Sequence, residues 1–172
     1  MKMLQLNLQF SNKILVQVKY KSRKYGWGPK HKWVSTSRNP YVIKDGNLRS
    51  SLKNTEGASS QYDMKIYNIR TIDSKNKNII DDTGLKYLKY LSNINIDENM
   101  VEDLSDFSNL KALKYLSLNG NNINNISPLR YLPLRRLSIK RNAFYTPEQI
   151  ELAKDVIEEL ESRGCTVYHD LK

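Results

Sequence analysis

The chain has 172 residues, with 28 Lys and Arg against 18 Asp and Glu and a formal charge of +10. That length suits one well-packed domain or two small ones, and no window approaches the ~20 apolar residues that a transmembrane helix needs. A single cysteine, Cys165, excludes an internal disulfide framework and a cysteine-cluster zinc site, and two histidines, His31 and His169, leave little for a conventional metal centre.

Leu4, Leu6, Leu8 and Phe10 alternate with polar residues, as do Ile14, Val16, Val18 and Tyr20 after the polar Ser11-Asn12-Lys13. Two antiparallel strands are the natural reading. The opening residues lack a continuous signal-peptide core, so a cytoplasmic location is expected. Tyr41–Lys44 and Asn47–Arg49 flank Asp45-Gly46, a tight-turn signal, and are expected as a second strand pair. The Ser-rich stretch from Ser50 to Gln61 is expected to be a loop or linker. Residues 1–62 carry twelve Lys and Arg but two acids, whereas residues 63–172 carry sixteen of each sign. The whole excess charge therefore lies in the first third, which is read as a small, basic, β-rich N-terminal domain.

From Leu88 onward the leucine spacing is not that of an amphipathic helix. Leu91, Ile94, Ile96, Asn99, Val101, Leu104 and Phe107 recur as Leu113, Leu116, Leu118, Asn121, Ile123, Ile126 and Leu129, displaced by 22 at every position. Leu134, Leu137, Ile139, Asn142 and Phe144 form a further copy displaced by 21. A period in this range points to a solenoid whose copies bury their apolar faces only by stacking. Within each copy, Leu-x-Leu reads as a short strand with both leucines inward, and the asparagine follows at the bend, where its amide can satisfy backbone groups of neighbouring coils. A degenerate earlier copy is expected over residues 69–85, where Ile69, Ile72, Ile79 and Leu85 keep the spacing while Ser74, Lys77 and Asp82 break it.

Leu113-Lys114-Tyr115-Leu116-Ser117-Leu118-Asn119-Gly120-Asn121-Asn122-Ile123-Asn124-Asn125-Ile126-Ser127-Pro128-Leu129 resembles the leucine-rich repeat family, in the short 22-residue class of bacterial internalin-like proteins and eukaryotic regulatory repeat proteins. The resemblance covers about residues 69–145. It implies an α/β repeat fold, a short solenoid with parallel strands. Beyond it, Thr146-Pro147-Glu148-Gln149 is a helix start with a capping box. Ile150, Ala153, Val156, Ile157 and Leu160 follow at helical spacing, Gly164 suits the helix end, and Cys165–Tyr168 reads as a final strand. This capping helix and strand also resembles the end of some leucine-rich repeat domains. The expected division is thus 1–62, 63–145 and 146–172.

No phosphate-binding glycine loop, dinucleotide fingerprint or zinc-hydrolase helix is present, so no enzyme and no cofactor are expected. Asp81/Asp82 and Asp97/Glu98 are read as solvated turn residues and Cys165 as a small buried hydrophobe. The leading functional candidate is the outward strand row, in a non-enzymatic protein-binding module, with inhibitor and adaptor roles both open. In the repeat register the row holds Thr71, Asp73 and Lys75; Asn93, Asn95 and Asp97; Tyr115, Ser117 and Asn119; and Arg136, Ser138 and Lys140. Inward residues are committed to packing, so these are available to a partner, with Tyr115 and Arg136 the strongest anchors. The alternative is nucleic-acid binding, to DNA or RNA, by the segment in which Tyr20, Tyr25, Trp27 and Trp33 interleave with Lys19, Lys21, Arg23, Lys24, Lys30, Lys32 and Arg38. There, cations would meet phosphates and aromatic rings would stack on bases.

Overall fold

The computed structural model describes residues 19–23, 26–30, 43–56 and 68–172. They belong to two compact units, Met1–Pro40 and Tyr41–Lys172. In the first, β1 (Lys19–Arg23) pairs antiparallel with β2 (Gly26–Lys30), in a register that sets Lys19 opposite Lys30, Tyr20 opposite Pro29 and Ser22 opposite Trp27. β2 takes in Gly26, Gly28 and Pro29: a proline, lacking an N–H, is tolerated where a strand has a free edge. The strands expected over Leu4–Phe10 and Ile14–Val18 lie outside the described residues, as do Lys24, Tyr25, Lys32, Trp33 and Arg38.

In the second unit, the expected strand pair around Asp45-Gly46 is replaced by a helix, α1 (Gly46–Glu56). Asp45 caps it: one carboxylate oxygen accepts the backbone N–H groups of Asn47 at 2.8 Å and Leu48 at 2.9 Å. Leu48 and Leu52 are four residues apart, hence on one helical face, and both are fully buried in the same core as the repeats. The other Asp45 oxygen accepts the Ile80 N–H at 3.0 Å, and Asn47 Nδ2 donates to the Asn78 carbonyl at 3.0 Å. The helix therefore covers the open end of the first repeat, and it takes in residues 50–56 of the expected linker. The chain divides after Pro40, where the sequence reading divided it after residue 62.

Five three-residue strands follow in one parallel sheet: β3 (Thr71–Asp73), β4 (Asn93–Asn95), β5 (Tyr115–Ser117), β6 (Arg136–Ser138) and β7 (Thr166–Tyr168), adjacent in that order. The register aligns Ile72, Ile94, Leu116, Leu137 and Val167 across the sheet. The repeat displacements read from the chain are the strand register, and the degenerate copy supplies a true strand. Ile69, Leu91, Leu113, Leu134 and the aliphatic residues of each coil are buried in one continuous interior. Burying one such side chain is worth roughly 1.5–3 kcal/mol. The return segments carry short 3-10 turns at 85–87, 105–109 and 127–129 that bury Leu85, Phe107 and Leu129.

Asn99, Asn121 and Asn142 hold the bends. The Asn99 Oδ1 accepts the N–H groups of Lys77 and Ile79, while its Nδ2 donates to the carbonyls of Ser74 and Ile96. Asn121 does the same between Val101, Ile96 and Leu118, and Asn142 between Ile123, Leu118 and Ile139. Each amide reaches back to the preceding coil. Among the described residues no coil precedes the first repeat, and Lys77 stands at its bend, exposed.

The far end closes with α2 (Pro147–Ser162), whose N-cap Thr146 forms the full capping box with Gln149. Ala153, Val156, Ile157 and Leu160 are buried. At its end, Gly164 adopts φ 84°, its N–H reaching the Glu161 carbonyl while the Cys165 N–H reaches the Leu160 carbonyl. This is a Schellman motif, and it turns the chain into β7 with Cys165 buried.

Candidate functional site

Because strand residues alternate, the side chains flanking the inward line emerge on the opposite face of the sheet. One outward row is Thr71, Asn93, Tyr115, Arg136 and Thr166; the next is Asp73, Asn95, Ser117, Ser138 and Tyr168. Just beyond the strands follow Lys75, Asp97, Asn119 and Lys140. All the repeat residues expected on the face are brought together, and β7 extends it by Thr166 and Tyr168. The final strand was legible, but its place beside β6 was not, because it lies outside the repeat period. Tyr168 is 43% exposed, and Lys140 Nζ stands 5.9 Å from its ring centroid.

The face is not uniform. Asp97 Oδ1 accepts the Ser117 hydroxyl at 2.8 Å and the Asn119 N–H at 2.7 Å. Asn119 Nδ2 donates to Asp97 Oδ2 at 3.2 Å and to Ser117 Oγ at 3.1 Å. Asn119 Oδ1 in turn accepts the Ser138 hydroxyl and the Lys140 N–H, each at 2.8 Å. Asp97, Ser117, Asn119 and Ser138 thus form a half-buried polar ladder across three repeats, with the Asp97 charge met by fixed dipoles. Beside it, Glu98 pairs with Arg141 two repeats on, passing over Gly120. Gly120 has φ 64°, and a Cβ there would lie 2.7 Å from a Glu98 carboxylate oxygen. Asp97 and Glu98, expected as solvated turn residues, are structural ties. Of the residues expected on the face, those left exposed are Thr71, Asp73, Lys75, Tyr115, Arg136 and Lys140, with Asn93 and Asn95 half-buried.

The Asp81/Asp82 reading is also corrected. Asp82 occupies a position filled by Leu104 and Ile126 in the later repeats, and it is 3% exposed, with Oδ2 lacking a hydrogen-bond partner. Burial, with the charges of Asp106, Asp103 and Asp81, pushes its carboxyl up to about 7. Asp106, also buried, accepts the Gly84 N–H at 2.6 Å and the Lys86 ammonium at 3.0 Å. Among the described residues no group of three or more His, Cys, Asp or Glu is placed to hold a metal ion. Cys165 is 5% exposed, and burial raises its thiol pKa, which suppresses the thiolate a nucleophile requires. A cavity of about 410 Å³ between the last repeat and the end of α2 is lined by Leu132, Pro133, Leu134, Arg135, Leu160, Arg163 and Gly164, without a carboxylate, histidine or thiol. No helix among the described residues is long and apolar enough to cross a membrane.

A parallel sheet of short strands, inward aliphatic lines and a bend asparagine in each regular coil define a leucine-rich-repeat type of solenoid with a C-terminal helix. The chain is similar in structure to an internalin (inlF) from Listeria monocytogenes, with 19% identity and a TM-score of 0.60 over 74% of this chain and 44% of that one. It is also similar to internalin C2 from the same species, at 21% identity and TM-score 0.43 over 73% and 74% of the two chains, and to the functional domain of InlJ, at 22% and 0.45 over 59% and 25%. The chain spans less than half the length of the first of these. At such identity the likeness is distant and concerns the fold alone, that of an internalin-type repeat solenoid. No protein-family profile and no curated protein sequence matches the chain.

Proposed function

We propose that the chain is a non-enzymatic protein-binding module of the short, 22-residue, internalin-like repeat class, and that it holds a partner protein on the outward face of β3–β6. The observation that carries this reading is the division of labour along each strand. Ile72, Ile94, Leu116 and Leu137 are wholly enclosed, while Tyr115, a large amphipathic side chain 41% exposed, stands in mid-face with Arg136 beside it. A rigid backbone beneath and a hydrogen-bonded ladder alongside present these anchors at little entropic cost.

Tyr115→Ala combined with Arg136→Glu tests the reading. A defined partner captured by the wild-type chain is expected to be lost, while the urea midpoint stays within the range of ordinary surface substitutions. Retention of that partner by the folded double variant overturns the assignment.

The β1–β2 hairpin supports a second reading, contact with DNA or RNA through Lys19, Lys21, Arg23, Trp27 and Lys30, since the strand register gathers these basic and aromatic residues on one hairpin. Affinity for single-stranded DNA or RNA is then expected to fall steeply with salt and to weaken on neutralising Lys21 and Arg23. Absence of binding to both at low salt removes it.

A further inference from the structure

We infer that the contact made by this face is with an acidic segment of the partner protein, and that it is centred on the N-terminal ends of β4, β5 and β6 rather than on the middle of the sheet. This rests on the protein-binding reading and sharpens it. Three successive coils bring basic residues to that edge: Lys89 ahead of β4, Lys111 and Lys114 ahead of β5, and Arg135 and Arg136 at the start of β6. The stacking is direct, because the Lys114 N–H bonds the Ser92 carbonyl and the Arg135 N–H bonds the Lys114 carbonyl, each at 2.8 Å. Lys89, Lys111, Arg135 and Arg136 are exposed and Lys114 half-buried. Among the described residues none of the five pairs with a carboxylate, and Lys111 Nζ donates to the Ser108 carbonyl. Tyr90, 55% exposed, and Tyr115, 41% exposed, flank the row.

The acids of the same face are elsewhere. Asp97 and Glu98 follow the C-terminal end of β4, and Asp73 lies in β3. Lys75 and Lys140 also follow the strand ends, so that edge mixes both signs, whereas the described residues at the starts of β4, β5 and β6 carry bases without an acid. Coils repeat at about 4.8 Å, so three of them span roughly 10 Å, the length of about three or four extended residues. A short run of Asp or Glu crossing the strand starts would place successive carboxylates against successive coils, with the Tyr phenols covering its flanks. A nucleic-acid strand fits less well. A phosphate backbone crossing farther would meet Asp73 and Asp97 with charge at every unit, whereas a polypeptide can change side chain there.

The test uses the full chain, 15N-labelled, titrated with a synthetic peptide containing (Asp-Glu)3-Tyr. Its Asn/Gln counterpart and the oligonucleotide (dT)12 serve as comparisons. Backbone amide shifts are expected at 89–92, 111–115 and 135–136 with the acidic peptide, and not with the neutral one. Lys111→Glu with Arg135→Glu, both exposed, is expected to weaken the acidic peptide at least tenfold while leaving the urea midpoint in place. Shifts confined to other residues, equal response to the neutral peptide, or tighter binding of (dT)12 at this edge overturn the inference. If Tyr115→Ala with Arg136→Glu abolishes a partner that Lys111→Glu with Arg135→Glu retains, the face still binds protein and the acidic-segment assignment falls. If neither pair of changes releases a bound partner, both readings fall.

Discussion

Asp82 shows what one side chain does when a repeat position designed for an aliphatic residue receives a carboxylate. Its pKa of about 7 in the folded chain, against 3.8 ordinarily, means that the native state binds this proton more tightly than the unfolded one. Its contribution to stability is therefore greatest below about pH 4, is lost progressively as pH rises to about 7, and is level above that. The span corresponds to at most about 4 kcal/mol, less whatever structural relaxation recovers. Asp82→Leu, which restores the residue type of the later repeats, is expected to stabilise the chain at pH 8 by roughly 1–4 kcal/mol and to flatten the pH slope. Urea unfolding at pH 5 and pH 8 measures both. An unchanged slope would show that the carboxyl is not titrating in this interval. The substitution was visible in the chain as a break in the period, but its burial was not, because exposure at a turn depends on which coil lies above it.

At the scale of elements, α2 and α1 were read with opposite success for the same physical reason. The α2 start announces itself locally: Thr146 and Gln149 satisfy each other's backbone N–H groups within four residues, at 3.2 Å and 3.1 Å. Thr146→Ala removes the side-chain acceptor and is expected to lower stability by about 1 kcal/mol, read as a shift of the thermal midpoint. A loss near zero would mean that packing of Val156, Ile157 and Leu160 alone holds the helix. α1, by contrast, contains Gly46 and the helix-indifferent Ser50, Ser51 and Asn54, and Asp45-Gly46 is as good a hairpin turn as a helix start. What decides for the helix is distant. Leu48 and Leu52 are buried in the same core as Ile69 and Ile72, and α1 packs on β3. Local preference was ambiguous and tertiary burial resolved it.

At the scale of the whole repeat unit, stability passes from coil to neighbouring coil, as in other solenoids. The two caps should therefore protect their own ends first. Leu52→Asp, placing a charge at a fully buried position of α1, is expected to raise amide exchange in residues 69–88 well before residues 113–139. Uniform loss of protection would instead show that the coils unfold as a single cooperative block, which hydrogen exchange distinguishes directly. The outward face belongs to this scale too. Its residues were identifiable one by one from the repeat register, yet the ladder from Asp97 to Ser138 removes four of them from the set available to a partner.

The period alone determined the solenoid, its inward lines, the asparagine at the bend of each regular coil and the parallel register, because burying one side of a short strand is a property of spacing that every copy repeats. Tertiary structure decided what caps the first coil, that Asp82 is enclosed, that Asp97 and Glu98 are ties rather than free acids, and how charge is distributed across the face. Each of these turns on groups such as Asp45 and Ile80, or Glu98 and Arg141, that lie 35 and 43 residues apart. Their meeting depends on how the coils stack, and no local pattern encodes it.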